Sequence, residues 1–301
     1  MDEVLLAGFL ASAVRVSTPL LLAALGETLA ERGGVINLGI EGAMLAGALG
    51  GTLGATAGGL WFGALGAAAA GFLMAAIFAV VAIGMRADQI ITGTAITLAS
   101  VGLTGVVYRE VYGTAGAGLS LPTFPVLPIP GLAALPVVGE GLFSQPAPTY
   151  LAWLLVPVTW WVLYRTRWGL ALRASGESHE AALAAGVRVR GLRVAATLIG
   201  GILAGLAGGT LVLAQVGTFT EEMTAGRGYI AIAIVVLGRW DPAWVLGASL
   251  LFGGATATQF LLQAMGLDVP YQLFLMLPYA LALLALAGGM GRARAPGELG
   301  K

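Results

Sequence analysis

Hydrophobic residues in this chain run together instead of alternating with polar ones. Residues 42–85, 141–164, 194–220, 242–267 and 269–291 contain no Asp, Glu, Lys or Arg. A helix crosses about 30 Å of hydrocarbon with roughly 20 residues, so each run is long enough to span. Residues 42–85 are long enough to span twice, with a joint near Gly58, Gly59 and Leu60. Strands of an outer-membrane barrel alternate apolar and polar residues over about ten positions, whereas these runs are apolar on every side and rich in Ala and Leu. The pattern predicts an all-α fold, a polytopic transmembrane helical bundle. Spanning segments are expected at Leu5–Leu29, Leu38–Ala57, Leu60–Ile83, Ile90–Tyr108, Tyr150–Tyr164, Val194–Ala214, Tyr229–Leu237, Trp244–Ala264 and Tyr271–Leu286. The Tyr229 segment is short, and Pro19 and Gly26 are expected to break the first. The expectation is therefore about eight to ten spanning or re-entrant helices in one transmembrane domain over residues 1–301.

Composition and charge narrow the class. The chain is 58% hydrophobic and 10% charged, with 15 acidic and 15 basic residues, far from soluble usage. It lacks the basic surface that nucleic-acid binding requires, so no nucleic acid is expected as a partner. With no Cys and one His, His179, it has no disulfide framework, no thiolate metal site and no histidine cluster. Orientation follows from arginine placement, because short basic loops stay in the cytoplasm. From Arg165 to Arg193 stand six Arg against Glu177 and Glu180, so the 165–193 loop is expected inside, together with Arg292 and Arg294. The 109–148 connection holds one Arg, two Glu and seven of the 13 Pro, and reads as an extended or turn-rich external loop. An odd number of crossings then puts the acidic Met1-Asp2-Glu3 start outside, where no signal-peptide pattern is seen.

Three stretches set charge beside the apolar runs. GLALRASGESHEAALAAGVRVRGLRVAA, residues 169–196, predicts a short helix that Ser175 or Ser178 caps and Gly186 ends in the left-handed conformation. Ala182, Leu183 and Ala185 then offer a small apolar face to a groove on another protein; the plainer reading is a solvated loop. GETLAERGGVINLGIEGAM, residues 26–44, holds Glu27, Glu31, Arg32 and Glu41 near membrane depth, where charge is costly unless paired or wet. Glu31 and Arg32 read as capping a helix end, while Glu41 is expected to face a watery path or an interior partner such as Arg15. In TEEMTAGRGYIAIAIVVLGRWDPAWVLGA, residues 220–248, Trp240 and Trp244 read as interfacial anchors, with Glu221, Glu222 and Arg227 on the outer side.

Asn37, Glu41, Gln89, Thr92 and Gln215 are candidate pathway or gate residues, although such groups also hydrogen-bond between helices. The four-residue spacings Gly54–Gly58, Gly59–Gly63, Gly201–Gly205 and Gly205–Gly209 read as close helix packing. There is no G-x-x-x-x-G-K-[ST] phosphate loop, no H-E-x-x-H helix and no G-x-S-x-G elbow. No catalytic residues, no metal and no cofactor are expected on this chain, and any ATP use belongs to a partner.

In this order, ERGGVINLGIEGAM (31–44), GRGYIAIAIVVLGRWDP (226–242) and PYQLFLMLPYALALLALAG (270–288) resemble the permease subunits of binding-protein-dependent ABC importers. The branch is that of ribose, branched-chain amino acid and nucleoside permeases, and the nucleoside-type members are the most similar. The resemblance runs from about Thr18 to Gly289. The G-E-x-x-x-A-A-x-x-x-G of Gly176, Glu177, Ala181, Ala182 and Gly186, with Arg188 beside it, resembles the coupling loop that sits in a cleft of the ATPase; Ser178-His179 stands where the family often has Asn-Pro.

The resemblance implies a multi-pass permease of a bacterial-type inner (plasma) membrane that supplies half of an alternating-access pathway. ATP and Mg are implied on a partner ABC ATPase subunit. A second permease of different sequence, an external substrate-binding lipoprotein and the surrounding membrane lipid complete the partners. Nucleosides are the implied substrate, with simple sugars or branched-chain amino acids as alternatives. An ion-driven secondary transporter is the rival class; it predicts paired intramembrane acids and inverted repeats, and no convincing repeat is visible.

Overall fold

The computed structural model describes residues 3–113, 120–264 and 294–300, with Gln272, Met276, Tyr279, Ala280 and Leu283 between them. The helices are α1 (Glu3–Arg32), α2 (Ile40–Gly58), α3 (Leu60–Phe78), α4 (Gln89–Tyr112), α5 (Val138–Phe143), α6 (Ala147–Arg165), α7 (Arg167–Glu177), α8 (His179–Ala184), α9 (Val189–Thr210), α10 (Arg227–Leu237) and α11 (Pro242–Ala264). Wider π-helical turns extend α3 over Ala79–Gly84 and α9 over Leu211–Val216. Five of these helices are long and apolar enough to cross a membrane: Glu3–Arg32, Leu60–Gly84, Gln89–Tyr112, Val189–Val216 and Pro242–Gln263. The fold is an all-α membrane bundle. Each segment expected between Leu5 and Ala264 is helical, with the α2–α3 joint at Gly59. The Tyr271–Leu286 segment lies outside the described residues apart from the five positions above.

The first expected segment is not broken. Pro19 has no N–H, so the carbonyl four residues back, on Arg15, loses its helical donor. The Gln215 side-chain amide donates to that carbonyl at 2.7 Å instead, and α1 runs unbroken for 30 residues, about 45 Å.

α9 is the centre of the bundle, against α1, α2 and α3. Lipid supplies no hydrophobic drive for helices to associate, so the contact has to come from close packing. At Gly205 a Cβ would lie 2.9 Å from the Cα of Gly71 on α3, and at Gly26 on α1 it would lie 2.8 Å from the carbonyl of Gly200. Backbone therefore rests on backbone, as the glycine spacings predict.

The Pro-rich connection is more ordered than its composition suggests. From residue 120 onward it contains α5 and two short antiparallel strands, β1 (Val126–Pro128) and β2 (Ser144–Pro146), with Val126 opposite Pro146. The Tyr150 hydroxyl holds this ladder to α6 by donating to the Leu127 carbonyl at 2.8 Å.

Candidate functional site

After α1 the chain turns at Gly33 and Gly34, the latter at φ 88°, and re-enters the bundle. The Asn37 amide donates to Glu27 Oε1 at 2.8 Å, which brings the chain back level with a residue more than one turn inside α1. The Asn37 side chain accepts from the Gly39 amide at 3.0 Å, and α2 begins there.

Glu41, in the first turn of α2, is 7% exposed. Its Oε1 accepts from the Gly226 amide at 2.8 Å and its Oε2 from the Gly228 amide at 2.6 Å. These N–H groups belong to the N-terminus of α10, which has no intrahelical partners for them and carries the positive end of the helix dipole. A carboxylate from another helix thus caps α10. Gly228 is required by the closeness of approach, since a Cβ there would stand 2.6 Å from the Cα of Glu41. Glu41 is not paired with Arg15, whose Nε donates to Gln145 Oε1 at 3.2 Å.

α10 has 11 residues, about 16 Å, and its C-terminal end is gripped by the same sequence motif. Past Gly238, Arg239 and Trp240 both take left-handed backbone angles, φ 56° and 57°. This turn carries the indole inward, where its N–H donates to Glu31 Oε2. Arg32 Nε donates to the Trp240 carbonyl at 2.9 Å. Trp240, 4% exposed, is therefore no interfacial anchor, whereas Trp244, 67% exposed, stands where an anchor would. Glu31 is buried and does not cap its own helix, and Arg32 serves the carbonyl end of α10 instead of that of α1.

The 165–193 loop folds as α7 and α8. Ser178 caps α8 by accepting from the Ala181 amide at 3.3 Å; Ser175 is buried and bonds to the Leu172 carbonyl. At the other end Gly186, at φ 78°, donates to the Leu183 carbonyl at 2.9 Å, and Val187 donates to the Ala182 carbonyl at 3.0 Å. That pair of bonds is the glycine closure expected from the sequence. The outward face differs from the expected one. Ala182 is 3% exposed and points into the protein, while Ala181, Leu183, Ala184 and Ala185 are exposed. Glu177 and Arg188 are exposed as well.

The loop is fastened to the Gly33–Gly34 turn. Arg193 donates to the Gly33 carbonyl at 2.9 Å and to the Ser175 carbonyl at 3.3 Å. Gly176 lies against the Arg32 carbonyl with no room for a side chain, and its own carbonyl accepts from the Glu298 amide at 2.8 Å. Arg32 also donates to the Tyr164 hydroxyl at 3.0 Å, and the Arg173 guanidinium lies 4.8 Å over the Tyr164 ring. These bonds join the 165–193 loop to the 31–41 segment, whose Glu31, Arg32 and Glu41 hold both ends of α10.

Of the candidate pathway residues, Asn37, Glu41 and Gln89 gather around the 36–41 connection, while Thr92 is held within α4. Gln89 Oε1 accepts from the Ile36 amide at 2.8 Å, and Thr92 bonds to the Asp88 carbonyl one turn along α4. Gln215 does not join them; it sits beside Pro19. Sequence reasoning named Glu27 as a charge near membrane depth and Gly176 as part of the loop motif without joining them to this junction, and it did not single out Gly228 or Arg193. The signal for Glu27 was there: Glu27 and Glu31 lie one turn apart on an apolar helix, which demands partners from elsewhere. A separate cleft between α1, α10 and α11 brings together Arg227, Thr256, Gln259, Phe260 and Tyr279.

The chain is thus a helical bundle with one short helix, α10, held at both ends, and a capped surface helix on the 165–193 loop. Residues 9–286 match the family described as branched-chain amino acid transport system / permease component, and the chain belongs to that family. It is 38% identical to the guanosine ABC transporter permease protein NupQ of Bacillus subtilis, across 98% of this chain and 96% of that protein. It is 33% identical to the nucleoside ABC transporter permease protein NupC of Lactococcus lactis, across 93% and 91%. A Haloferax volcanii protein, named provisionally as the glucose ABC transporter permease TsgC13, is 43% identical across 87% of this chain and 79% of its own length. No solved structure matches the chain.

Proposed function

We propose that this chain is the membrane-spanning permease subunit of an ATP-driven ABC importer, that it forms half of the translocation pathway and that it carries nucleosides. The observation that supports this most is the connection from the 165–193 loop, through the 31–41 segment, to both ends of α10. A load applied at the surface loop reaches a short helix inside the bundle through the backbone of the 31–41 segment and the hydrogen bonds it makes at each end, which is the link an alternating-access machine needs.

In this reading the partner ABC ATPase, which binds ATP and Mg, docks on the outward face of α8 at Ala181, Leu183 and Ala184. Gly176, Ala182 and Gly186 shape that helix and fasten it, while Glu177 and Arg188 flank the contact. The 165–193 loop lies in the cytoplasm and the 109–148 connection outside, where an external substrate-binding lipoprotein delivers its load. The chain makes eight to ten crossings of the inner (plasma) membrane as one domain over residues 1–301. It pairs with a second permease of different sequence. Asn37, Glu41, Gln89 and Thr92 form the gate region that α10 moves.

Nucleosides are favoured by the printed names of NupQ and NupC. They are favoured also by the cleft at Tyr279, Phe260, Gln259 and Thr256, which sets aromatic faces beside amide and hydroxyl groups. Simple sugars are the second reading, supported by the name of TsgC13. The test is uptake of labelled nucleosides and of glucose by vesicles containing this chain, with its ATPase, second permease and binding protein added or withheld. Nucleoside uptake that needs ATP and every subunit is the expected result. Glucose uptake under the same conditions selects the second reading, and uptake by this chain alone on an ion gradient overturns both.

A further inference from the structure

Away from the motif junction, the outer surface of the bundle carries a groove between α3 and α9. Its walls are Phe72, Ala76, Val80, Val194 and Leu198, and it ends at Gly84 and Met85 with Arg190 beside them. A second recess adjoins it, with Arg86, Arg190 and Arg193 among its lining residues, beside Asp88, Glu298 and His179. Arg190 lines both features and the Gly84–Arg86 turn runs from one to the other, so the apolar groove opens at one end into an arginine-bearing mouth. The π-helical turn makes this junction: Met85 donates to the Val80 carbonyl at 2.9 Å and Ala87 to the Val81 carbonyl at 3.2 Å.

The charges at the mouth are not equally committed. The Asp88 carboxylate accepts from the Ile91 amide at 2.9 Å, capping α4. Arg193 is bonded to the Gly33 and Ser175 carbonyls, and Glu298 interacts with it. Arg190 gives one N–H to the Gly84 carbonyl at 2.9 Å, and among the described residues most of its guanidinium donors have no other acceptor. Arg86 is exposed and makes no hydrogen bond or ion pair among the described residues. It also sits at φ 59°, a backbone conformation that glycine adopts at lower cost. An arginine held there, at the end of an apolar membrane-length helix, places a cation where hydrocarbon gives way to lipid headgroups.

We infer that the α3–α9 groove and its mouth bind one anionic phospholipid, with an acyl chain along Phe72, Ala76, Val80, Val194 and Leu198 and the headgroup phosphate on Arg86 and Arg190. The two halves of the site match the two halves of such a molecule. A zwitterionic lipid fits the groove but brings a cation to the mouth, and inorganic phosphate uses the mouth alone. Because Arg190 lies in the first turn of α9, a bound headgroup also ties the end of α3 to the start of the helix that follows α8.

The test is native mass spectrometry of the intact transporter complex titrated with phosphatidylglycerol, phosphatidylcholine or inorganic phosphate. Phosphatidylglycerol is expected to be retained in preference to phosphatidylcholine. Arg86→Gln with Arg190→Gln should weaken phosphatidylglycerol by roughly fivefold per guanidinium and phosphatidylcholine by less, so that the preference between them shrinks. Val80→Trp, which fills the groove, should weaken both lipids. Equal retention of the two lipids, an unchanged phosphatidylglycerol affinity in the arginine variant, or displacement of the lipid by millimolar phosphate overturns the assignment. Should loss of the Arg190–Gly84 bond prevent folding, Arg86→Gln alone carries the test, because among the described residues that side chain has no partner to lose.

Discussion

Glu41 is held in the bundle by two backbone amides, an arrangement that serves a helix as much as a side chain. Replacing it with Ala leaves the buried Gly228 N–H and the half-buried Gly226 N–H without acceptors, and hydrogen bonds to a charged group are worth about 1.5–3 kcal/mol each. Glu41→Ala should therefore cost about 3 kcal/mol or more, read as a large fall in the apparent Tm of the purified protein; an unchanged Tm would show that the cap contributes nothing. Gln215 makes a second residue-scale prediction. In the native background Gln215→Leu should cost about 1–2 kcal/mol by leaving the Arg15 carbonyl unsatisfied. In a Pro19→Ala background the residue at position 19 has an N–H for that carbonyl, so the loss should shrink by about 1 kcal/mol, and a double-mutant cycle with no coupling would refute the account. The need for a partner at Glu41 was legible in the sequence, but its identity was not, because backbone amides are the same at every position and leave no mark in the letters. Arg15, the visible cation, was the natural but mistaken choice. Trp240 was misread for a related reason: two consecutive left-handed residues turn the indole inward, and nothing in GRWDP announces that Arg and Trp will adopt angles usually left to glycine.

The short helices carry the sharpest functional contrasts. On α8, Leu183→Arg changes an exposed position, and is expected to abolish co-purification with the ATPase subunit while the Tm stays within a few degrees of the parent. Ala182→Arg puts a charge where Ala182 is buried, so it should lower the Tm itself; the reverse pattern, with Leu183→Arg harmless to association, would move the docking surface elsewhere. On α10, Trp240→Phe removes the indole N–H and leaves the Glu31 carboxylate buried with neither oxygen bonded, a loss of about 3 kcal/mol. Its diagnostic readout is ATP hydrolysis by the assembled complex, which should lose its stimulation by loaded binding protein, since the C-terminal grip on α10 is gone. The ends of α8 were readable from Ser178 and Gly186, because caps are local chemistry. Its inward face was not, because six residues make less than two turns and hold no periodic signal to separate Ala182 from Ala181 or Ala185.

For the whole molecule, the order of the long helices could be read from the apolar segments, and the glycine spacings announced the close contacts of α9. The continuity of α1 could not be read, since it depends on Gln215 from a helix almost two hundred positions away. Backbone contact at the centre of the bundle also sets how little change it tolerates. Gly205→Val inserts three carbons between α9 and α3, and should destabilise by about 3 kcal/mol or more, seen as loss of monodisperse protein in size-exclusion chromatography. Normal elution and Tm would mean that the helices can separate at small cost. One further property comes from the indole that joins Glu31 to the end of α10. Trp240 alone among the seven tryptophans falls below a tenth exposed, and its N–H faces a carboxylate. Intrinsic emission from a variant that retains only this tryptophan is thus a built-in optical gauge of the junction. A change in wavelength or lifetime when nucleotide reaches the partner ATPase would time the movement of α10 without an added dye.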